Sequence, residues 1–477
     1  MQHNASNFYL RSSTVAVVGL GKIGLPLAVQ YTQHGMRVIG CDINPQVVEM
    51  INAGQSHIQE ETGLATGVAN AVDKGLLSAT TDTTEAVRQA GIVVVIVPVV
   101  IDSRNKVNFN AIDAATSAIG AGLQPGTLVI YETTLPIGTT ARRFGPILEH
   151  TAKLKVGYDF YLAYSPERVK CGRIFRDLRT YPKVVGGIDQ RSTDAAVEFY
   201  RSVLEAQIIS MTSTDEAEFV KLIETAYRDV NIALANEFAC FADSHGLDVA
   251  AAISAANTQQ ESQIHTPGVG VGGHCIPVYP YFLFSSLNET DLRTQDPELP
   301  MLMLAHSARR INDSMAEYAV RRIEAIIGSL AHQPVLILGV AYRGNVHETA
   351  FTSAKLLQEA LLERGAIVYV DDPLFSKEEL QLLGYAPLPA ALESKVRAII
   401  LQAGHTAYLS FDFSRFTDCQ VVLDGRSALD REKIESLGMR YITIGDGNYE
   451  KPEMQREHPQ ASPAFSEEDI RNLGSVA

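Results

Sequence analysis

The hydrophobic pattern between Thr14 and Asp42 predicts a strand, a glycine turn, a helix and a second strand. β-Branched residues occupy most of positions 15–18, helical spacing runs over 25–34, and strand-forming residues return at 37–41. Because a helix joins the two strands, they are expected to pair in parallel as a βαβ unit.

Further apolar runs of strand length follow in the first part of the chain. They are separated by segments long enough for helices, and they lie at Ile92–Val97, Thr127–Tyr131 and Lys183–Gly186. This alternation predicts a mostly parallel, doubly wound sheet in a first domain over residues 1–211.

The middle of the chain has a helical pattern. Residues 217–245 contain neither Gly nor Pro, which predicts one helix of about 30 residues, or about 45 Å. A second helical stretch covers 301–329, and a loop rich in Gly and Pro, 266–280, lies between the two. We therefore predict a central helical region over 212–330 that joins two lobes.

A second α/β pattern begins at Pro334. A strand, a helix closed by Gly365 and another strand are followed by strand-like runs at Ala398–Gln402, Gln420–Leu423 and Tyr441–Ile444. We predict a second doubly wound sheet of about five strands in a domain over 331–450, and a polar, poorly packed tail over 451–477. The expected fold class is α/β, with two Rossmann-like domains joined by a long central helix and a small helical region.

Composition and charge narrow the possible partners. The 477 residues are 46% hydrophobic and 20% charged, with a net charge of −15. No electrostatic footprint for nucleic acid or an anionic membrane is visible at the level of the whole chain. The longest uncharged apolar run, 92–101, is shorter than the roughly 20 residues of a membrane span. With no export signal at the N-terminus, the sequence predicts a cytoplasmic protein.

The cysteines do not form a recognisable metal or disulfide pattern. There are five, with no CxxC pair, at Cys41, Cys171, Cys240, Cys275 and Cys419. This odd, scattered set fits neither a disulfide framework nor a zinc site, so no metal is predicted.

The clearest chemical motif is a GxGxxG formed by Gly19, Gly21 and Gly24, with Asp42 at the end of the next strand. After a strand and before a helix, such glycines bring a pyrophosphate to the helix N-terminus, and the carboxylate accepts from ribose hydroxyls. Asp42 would repel a 2′-phosphate, so NAD is favoured over NADP. The alternative is a turn that only packs helix on strand. The predicted cofactor-binding residues of the turn also include Lys22 and Ile23.

The second α/β unit repeats this motif incompletely, since LGVAYRG retains only Gly339 and Gly344. A second dinucleotide site is therefore not expected. Arg343 lies just beyond the strand, where open α/β sheets place ligands, and is either a phosphate partner or a solvated surface arginine.

Two further residues are candidates for chemistry. Cys275 follows four glycines in GVGVGGHCIP, where freed amides can approach a substrate, so it is either a covalent nucleophile or an incidental thiol. Lys221 forms a polar stripe with Thr225 and Arg228 on the long helix. Such a stripe is usually solvated, and only a lysine facing a cleft would serve as acid, base or oxyanion partner.

Five ordered blocks resemble the nucleotide-sugar 6-dehydrogenases of the UDP-glucose/GDP-mannose dehydrogenase family. They are VAVVGLGKIGLPLA, YETTLPIGTT, YSPERVKCG, AEFVKLIETAYRDVNIALANE and GVGVGGHCIP. The resemblance implies an NAD-binding domain, a long-helix dimerisation region that makes a homodimer, and a C-terminal domain that binds the nucleotide sugar.

The resemblance also implies roles. Cys275 would hold the sugar C6 as a thiohemiacetal and then a thioester, while Lys221 would stabilise oxyanions and help move protons. Thr134 would contact the cofactor and help hold the catalytic water, and Glu167 would assist thioester hydrolysis. The remaining implied contacts are Pro98 with the cofactor and Glu167, Arg168, Lys221, Gly272 and Arg343 with the substrate.

The sequence departs from the family pattern around these residues. Four residues after the cysteine, Tyr279 replaces the family's aspartate, and four residues after the lysine, Thr225 replaces its asparagine. Cys171 replaces a second glutamate, and Val99 replaces the threonine of a VPTP strand end. A C-terminal block that is RESP-like in the family reads AFTS from Ala350. These changes alter the residues that order water and cofactor but keep the cysteine and lysine.

We therefore predict oxidation of the C6 alcohol of a UDP-sugar to the uronic acid with two NAD and one water. SPER and RDVNIALANE resemble the N-acetylhexosamine members, which favours UDP-GlcNAc or UDP-ManNAc over UDP-glucose. The alternatives are a non-catalytic relative that binds NAD and a nucleotide sugar, and a two-electron dehydrogenase of the 3-hydroxyacid and 6-phosphogluconate type.

Overall fold

The structure, a computed structural model, describes residues 13–170, 172–287 and 301–448. Its described residues divide into two compact units, one formed by 13–224 and 281–287 and the other by 225–280 and 301–448. The predicted polar tail lies outside the described residues. In the described part of the chain, no helix has the length and apolarity needed to cross a membrane.

The first unit contains an eight-stranded sheet in the order β10-β9-β8-β7-β4-β1-β2-β3. Its neighbouring strands pair in parallel, except that β9 runs antiparallel to β8. The strands are β1 Val15–Val18, β2 Val38–Cys41, β3 Leu77–Thr80, β4 Ile92–Val95, β7 Leu128–Tyr131, β8 Tyr161–Tyr164, β9 Lys183–Gly187 and β10 Ile208–Ser210. A separate antiparallel pair comprises β5 Val100–Ile101 and β6 Val107–Asn108.

Helices connect these strands, as the alternating pattern predicts. Several begin at a side-chain cap, such as Asp82, whose carboxylate accepts from Glu85 N, and Asp189, which accepts from Ser192 N. The helices are α1 Gly24–Gln33, α2 Pro45–Asn52, α3 Leu64–Asp73, α4 Thr83–Gln89, α5 Asn110–Gly122, α6 Gly145–Ala152, α7 Ile174–Thr180 and α8 Gln190–Val203, with a short π-helix at Thr140–Phe144 directly before α6.

The predicted long helix is confirmed as α9, Thr214–His245, which has 32 residues. The division between the two units falls within it, after Glu224. The helical region continues with α10 Val249–Ala256, α11 Tyr279–Phe284 and α12 Met303–Ile327.

The second unit contains the predicted five-stranded sheet, all parallel, in the order β12-β11-β13-β14-β15. The strands are β11 Pro334–Leu338, β12 Ile367–Asp371, β13 Ala398–Leu401, β14 Val421–Asp424 and β15 Arg440–Thr443. The helices are α13 Ser353–Glu363, α14 Lys377–Leu382 and α15 Arg431–Glu435, with 3₁₀ turns at Ala390–Lys395, Thr406–Ser410 and Phe413–Arg415. The expected α/β class with two doubly wound sheets is therefore confirmed.

Candidate active site

In the first unit, the predicted residues follow strands that are neighbours in the sheet. The glycine turn follows β1, Pro98 follows β4, Thr134 follows β7 and Glu167 follows β8. Parallel strands place their carboxyl ends at one edge, which is where open α/β sheets bind ligands. The fold thus brings these four segments to a single edge.

The glycine turn has room for a phosphate only at its second glycine. Gly19 has φ +96°, and a Cβ there would lie 2.8 Å from Ile96 O. A Cβ at Gly24 would lie 1.8 Å from Gly19 O, so the start of α1 packs directly on the turn. A Cβ at Gly21 would meet no heavy atom within 4 Å. The first and third glycines therefore close the turn, and the second leaves open space, as pyrophosphate binding requires.

Asp42 lies beside this turn. Its Oδ2 accepts from Leu20 N at 3.0 Å and its Oδ1 from Asn44 N at 2.9 Å, while the side chain stays partly exposed. Ile23 packs against the core immediately before α1, and the ammonium of Lys22 lies 3.7 Å from Glu60. Open space at the turn with a carboxylate next to it fits the pyrophosphate and ribose of NAD.

The loops after β4 and β7 are tied together. Thr133 Oγ1 donates to Val97 O at 2.7 Å, next to the exposed Pro98. Thr134 is buried beside this contact. Val99, one of the departures from the family pattern, is also buried.

A buried carboxylate on α9 holds the far end of the loop that follows β7. Glu218 accepts from Gly138 N, from Thr140 N at 2.8 Å and from Thr140 Oγ1 at 2.7 Å. Burial raises the pKa of Glu218 to about 7 although these hydrogen bonds favour its ionised form. Glu218 thus fixes the loop containing Thr134, a role that the sequence did not reveal.

The SPER segment and α9 meet through two cations. Lys221 Nζ donates to the carbonyl oxygen of Glu167 at 2.6 Å, and Arg168 forms an ion pair with Glu224. Lys221 is half-buried and Thr225 is buried, whereas Arg228 is exposed. Only the last residue of the predicted polar stripe is therefore a solvated side chain.

The carboxylate of Glu167 is held at both oxygens. Oε1 accepts from Arg168 N at 2.7 Å and from Val169 N at 3.0 Å, and Oε2 accepts from Lys183 Nζ at 2.9 Å. Lys183 Nζ also donates to Glu132 Oε2 at 2.7 Å. Glu132 and Lys183 are functional candidates that the sequence analysis missed.

The second unit contains the cysteine loop. Gly270 and Gly273 have φ +136° and +100°, and a Cβ at Gly272 would lie 2.8 Å from Phe351 O. Gly273 N donates to Ala350 O at 2.8 Å, so the loop packs against the AFTS segment. Cys275 is exposed on this loop.

Arg343 lies on a loop in contact with the same glycines. A Cβ at Gly272 would lie 2.9 Å from Tyr342 Cβ, and Arg343 Nε donates to Tyr342 Oη at 3.2 Å. The Arg343 side chain is exposed. The structure therefore brings the segments of Gly272 and Arg343 together within the second unit.

A buried polar network supports the glycine loop from α9 and α12. Asn236 Oδ1 accepts from Gly268 N at 2.9 Å, and Asn236 Nδ2 donates to Asn312 Oδ1 at 2.9 Å. Asn312 in turn donates to Asp229, which also pairs with Arg309 at 2.7 Å. The only signal for these residues in the sequence is a polar side chain within an apolar helical repeat.

Tyr279, another departure from the family pattern, is the first residue of α11, and its N–H donates to Cys275 O at 2.9 Å. Cys171 lies outside the described residues.

Three family models match the chain in succession. They describe the NAD binding domain of the UDP-glucose/GDP-mannose dehydrogenase family at 13–204, its central domain at 215–314 and its UDP binding domain at 336–431. The chain belongs to this family. It is accordingly an NAD-dependent oxidoreductase of the nucleotide-sugar dehydrogenase class, so the predicted resemblance, enzyme class and cofactor are confirmed.

Individual relatives match nearly end to end. UDP-N-acetyl-D-mannosamine dehydrogenase of Pyrococcus horikoshii is 32% identical over 441 residues, covering 91% of this chain and 99% of that protein. NDP-N-acetyl-D-galactosaminuronic acid dehydrogenase of Ralstonia nicotianae is 31% identical over 429 residues, covering 88% and 97%.

Solved structures show the same likeness. The structure of UDP-D-ManNAc dehydrogenase from P. horikoshii has a TM-score of 0.80 at 31% identity, covering 91% of this chain and 100% of that one. A UDP-glucose dehydrogenase from Pyrobaculum islandicum has a TM-score of 0.78 at 28% identity, covering 91% and 99%.

Proposed function

We propose that the protein oxidises the C6 alcohol of a UDP-N-acetylhexosamine to the uronic acid, consuming two NAD and one water. The observation that carries the proposal is the exposed thiol of Cys275 on its glycine loop, because oxidation beyond the aldehyde requires a nucleophile that holds the carbon. The N-acetylhexosamine choice rests on the SPER and RDVNIALANE blocks and on the relatives that act on UDP-N-acetyl-D-mannosamine.

In the proposed reaction, the C6 alcohol first loses a hydride and a proton to give the aldehyde. Cys275 Sγ then adds to this carbon, and the thiohemiacetal loses a second hydride to become a thioester. Water attacks the thioester carbonyl, the carbon–sulfur bond breaks, and the acid and free thiol are released. NAD, when bound at the Gly19 turn, supplies the hydride acceptor for both oxidations.

The chain's own residues divide the remaining work. Lys221, fixed by its hydrogen bond to the Glu167 carbonyl, stabilises the oxyanion at C6. The Glu167 carboxylate takes the proton of the attacking water, and the Thr134 hydroxyl helps to hold that water. Arg343 pairs with the phosphates, while Arg168 and the backbone of Gly272 contact the sugar nucleotide.

We also propose that the protein acts as a homodimer. Helix α9 exposes a stripe of large apolar side chains at spacings of three, four and seven, formed by Phe219, Ile223, Tyr227, Leu234, Phe238 and Phe241. Such a continuous exposed stripe marks a protein interface, and a second copy of this chain is the proposed occupant. Light scattering should report a dimer, and Phe238→Glu should shift it to a monomer.

We likewise propose that the chain has three functional parts. They are the NAD-binding domain over 1–211, the central helical region over 212–330 and the nucleotide-sugar-binding domain over 331–450.

The experiment that tests the function measures NADH formed from a panel of UDP-sugars and other nucleotide sugars. We expect two NADH per uronic acid with a UDP-N-acetylhexosamine, and no uronic acid from Cys275→Ser. One NADH and an accumulated aldehyde would instead indicate a two-electron enzyme. Binding of sugar and NAD with no NADH from any sugar would indicate a non-catalytic relative, in which Tyr279→Asp and Thr225→Asn would be tested for rescue.

Alkylation gives a second readout for Cys275. Burial raises the pKa of Cys41 and Cys419 to about 12 and that of Cys240 to about 11, so these thiols should react slowly. Iodoacetamide should label the exposed Cys275 before these three, and bound UDP-sugar should protect it. Equal labelling, or no protection, would contradict its place in the substrate site.

A further inference from the structure

A cluster of three buried charged side chains lies at the ligand-binding edge of the first unit. The Lys183 ammonium lies between the carboxylates of Glu132, at 2.7 Å, and Glu167, at 2.9 Å. The side chains of Glu132, Lys183 and Glu167 are 0%, 6% and 10% exposed. Charged residues are almost never buried to this extent unless they are paired.

The sheet topology explains how the lysine reaches this place. β9 is antiparallel to β8, with Ala163 opposite Gly187 and Tyr164 opposite Gly186. Continuing this register brings Lys183, at the start of β9, opposite Glu167, just beyond the end of β8. A parallel β9 would have placed its first residue at the far edge of the sheet.

Two tyrosines anchor the other end of the cluster. Tyr200 Oη, from α8, donates to Glu132 Oε1 at 2.6 Å, and Tyr31 Oη, from α1, donates to the same oxygen at 3.3 Å. The Lys183 ammonium also lies 5.0 Å from the centroid of the Tyr200 ring. Glu132 is thus held by groups from three elements, and it holds Lys183 in turn.

We propose that Lys183 and Glu132 are positioning residues that fix the carboxylate of Glu167 for thioester hydrolysis. The inference rests on the proposed function, in which Glu167 takes a proton from water. With Oε1 held by two backbone N–H groups and Oε2 by the lysine, the carboxylate has one defined orientation. A base fixed in this way avoids the reorganisation that a mobile carboxylate would need.

The charges of the cluster support this assignment. Burial and the neighbouring Glu167 raise the pKa of Glu132 to about 7, against the effect of Lys183. Burial opposes ionisation of Glu167 as well, but Lys183 and the N–H of Arg168 lower its pKa. Of the two carboxylates, Glu132 is therefore the one that takes up a proton first as the pH falls, while Glu167 stays ionised.

The proton on Glu132 sets a pH dependence. Below pH 7, protonated Glu132, Lys183⁺ and Glu167⁻ sum to zero, and proton uptake by Glu167 creates a net positive buried charge. Above pH 7, Glu132 is ionised, and the same uptake neutralises a net negative charge. Hydrolysis should therefore be faster above pH 7 than below it. The titratable groups that face Glu132 are Tyr31, Tyr200, Lys183 and Glu167.

The test uses the full-length protein and compares Lys183→Met, Lys183→Arg and Glu132→Gln with the wild type. Arg143→Met, which removes the exposed ion pair with Asp113, is the matched control for loss of a cation. Stopped-flow absorbance measures the first-turnover burst of NADH, steady-state assays give kcat and KM, and intact mass reports a sugar acyl group on the enzyme. Wild-type protein that forms two NADH per sugar establishes the proposed function separately.

Lys183→Met should keep the burst and a KM within about threefold, while kcat falls about 100-fold and the acyl-enzyme accumulates. Lys183→Arg should recover most of the loss. Arg143→Met should behave as wild type. A folded Lys183→Met that turns over normally, or that loses the burst in proportion to kcat without acyl-enzyme, would overturn the inference.

Glu132→Gln leaves Lys183 paired with Glu167 and is the test variant to use if Lys183→Met does not fold. Between pH 6 and 8, wild-type kcat should rise about three- to tenfold, whereas Glu132→Gln should stay at the low-pH level because its net charge no longer changes. A Glu132→Gln profile that coincides with the wild-type profile would overturn the inference.

Discussion

The glycine turns of the two Rossmann-like sheets follow the same plan with one difference. Gly19 and Gly24 after β1 correspond in spacing to Gly339 and Gly344 after β11. Gly19 and Gly339 both have φ near +90°. In the place of Gly21, however, the second turn has Ala341, which is fully buried. The open space that fits a pyrophosphate in the first turn is thus filled by a side chain in the second.

The aspartates that follow β2 and β12 also differ, in their exposure and in their hydrogen bonds. Asp42 stays partly exposed, whereas Asp372 is buried and its Oδ2 accepts from Val340 N at 2.8 Å and Ala341 N at 3.1 Å. His405 Nε2 lies 3.1 Å from the same oxygen. Asp42 can therefore reach a ribose, whereas Asp372 holds the turn of its own sheet in place.

The helices begin at different distances from the turn. α1 begins at Gly24 itself, so its N-terminus faces the first turn, whereas α13 begins only at Ser353. The residues between Gly339 and α13 form a loop that contains Tyr342 and Arg343. A shared βαβ plan can thus serve a dinucleotide or another ligand, according to how the acid and the turn are used.

The largest effect is expected from removing the second acid. Asp372→Ala would leave two backbone N–H groups and His405 without their buried acceptor, so we expect a loss of about 3 kcal/mol in stability. Asp42→Ala, the matched change, should cost less than about 1 kcal/mol because its side chain is partly exposed. Urea denaturation of both variants measures the difference. Similar losses would show that the two carboxylates have the same structural role.

A second pair of variants separates closing the turn from binding the cofactor. Gly21→Ala gives the first turn the residue of the second and meets no neighbouring atom, so the variant should fold normally but bind NAD at least about tenfold more weakly. Gly24→Ala would place a Cβ against Gly19 O and should lower the unfolding temperature. Calorimetric titration of NAD and thermal unfolding give the two readouts. Unchanged NAD affinity in Gly21→Ala would contradict the assignment of the turn.

The smallest effect concerns cofactor choice. Because Asp42 lies beside the first turn, a 2′-phosphate would meet a carboxylate, and NAD should be strongly preferred over NADP. Asp42→Asn should lower the ratio of kcat/KM with NAD to kcat/KM with NADP by about tenfold, which corresponds to about 1.4 kcal/mol. Equal kcat/KM for both cofactors in the unmodified protein would show that Asp42 does not select NAD over NADP.

Strands made of continuous runs of β-branched and aliphatic residues were predictable from the sequence, as in IVVV of β4 and VVLD of β14. In the eight-stranded sheet, the strands β3, β8 and β10 were not predicted. LSAT of β3 has alternating burial at the sheet edge, YLAY of β8 lacks β-branched residues, and β10 has only three residues. Short or half-exposed strands gain their order from neighbouring strands, which a local pattern does not contain.

The residues of the candidate site also differ in how far the sequence could predict them. The glycine turn and Asp42 belong to one βαβ unit, so spacing alone was informative. Lys183 and Glu132 are 51 residues apart, and their contact depends on the antiparallel register of β9. In the sequence they are single charges beside buried strands, which is the only local signal that they are paired.

The reversal of β9 also has a consequence for engineering. The connection from β8 to β9, residues 165–182, begins and ends at the ligand-binding edge, with Glu167 and Arg168 near its start and Lys183 just after its end. It contains α7, whose Ile174 and Leu178 are buried in the core of the first unit, so these two residues have to be kept. Libraries that vary the exposed residues of this connection, such as Arg176 and Arg179, would explore new sugar specificities while the anchoring residues and the sheet stay unchanged.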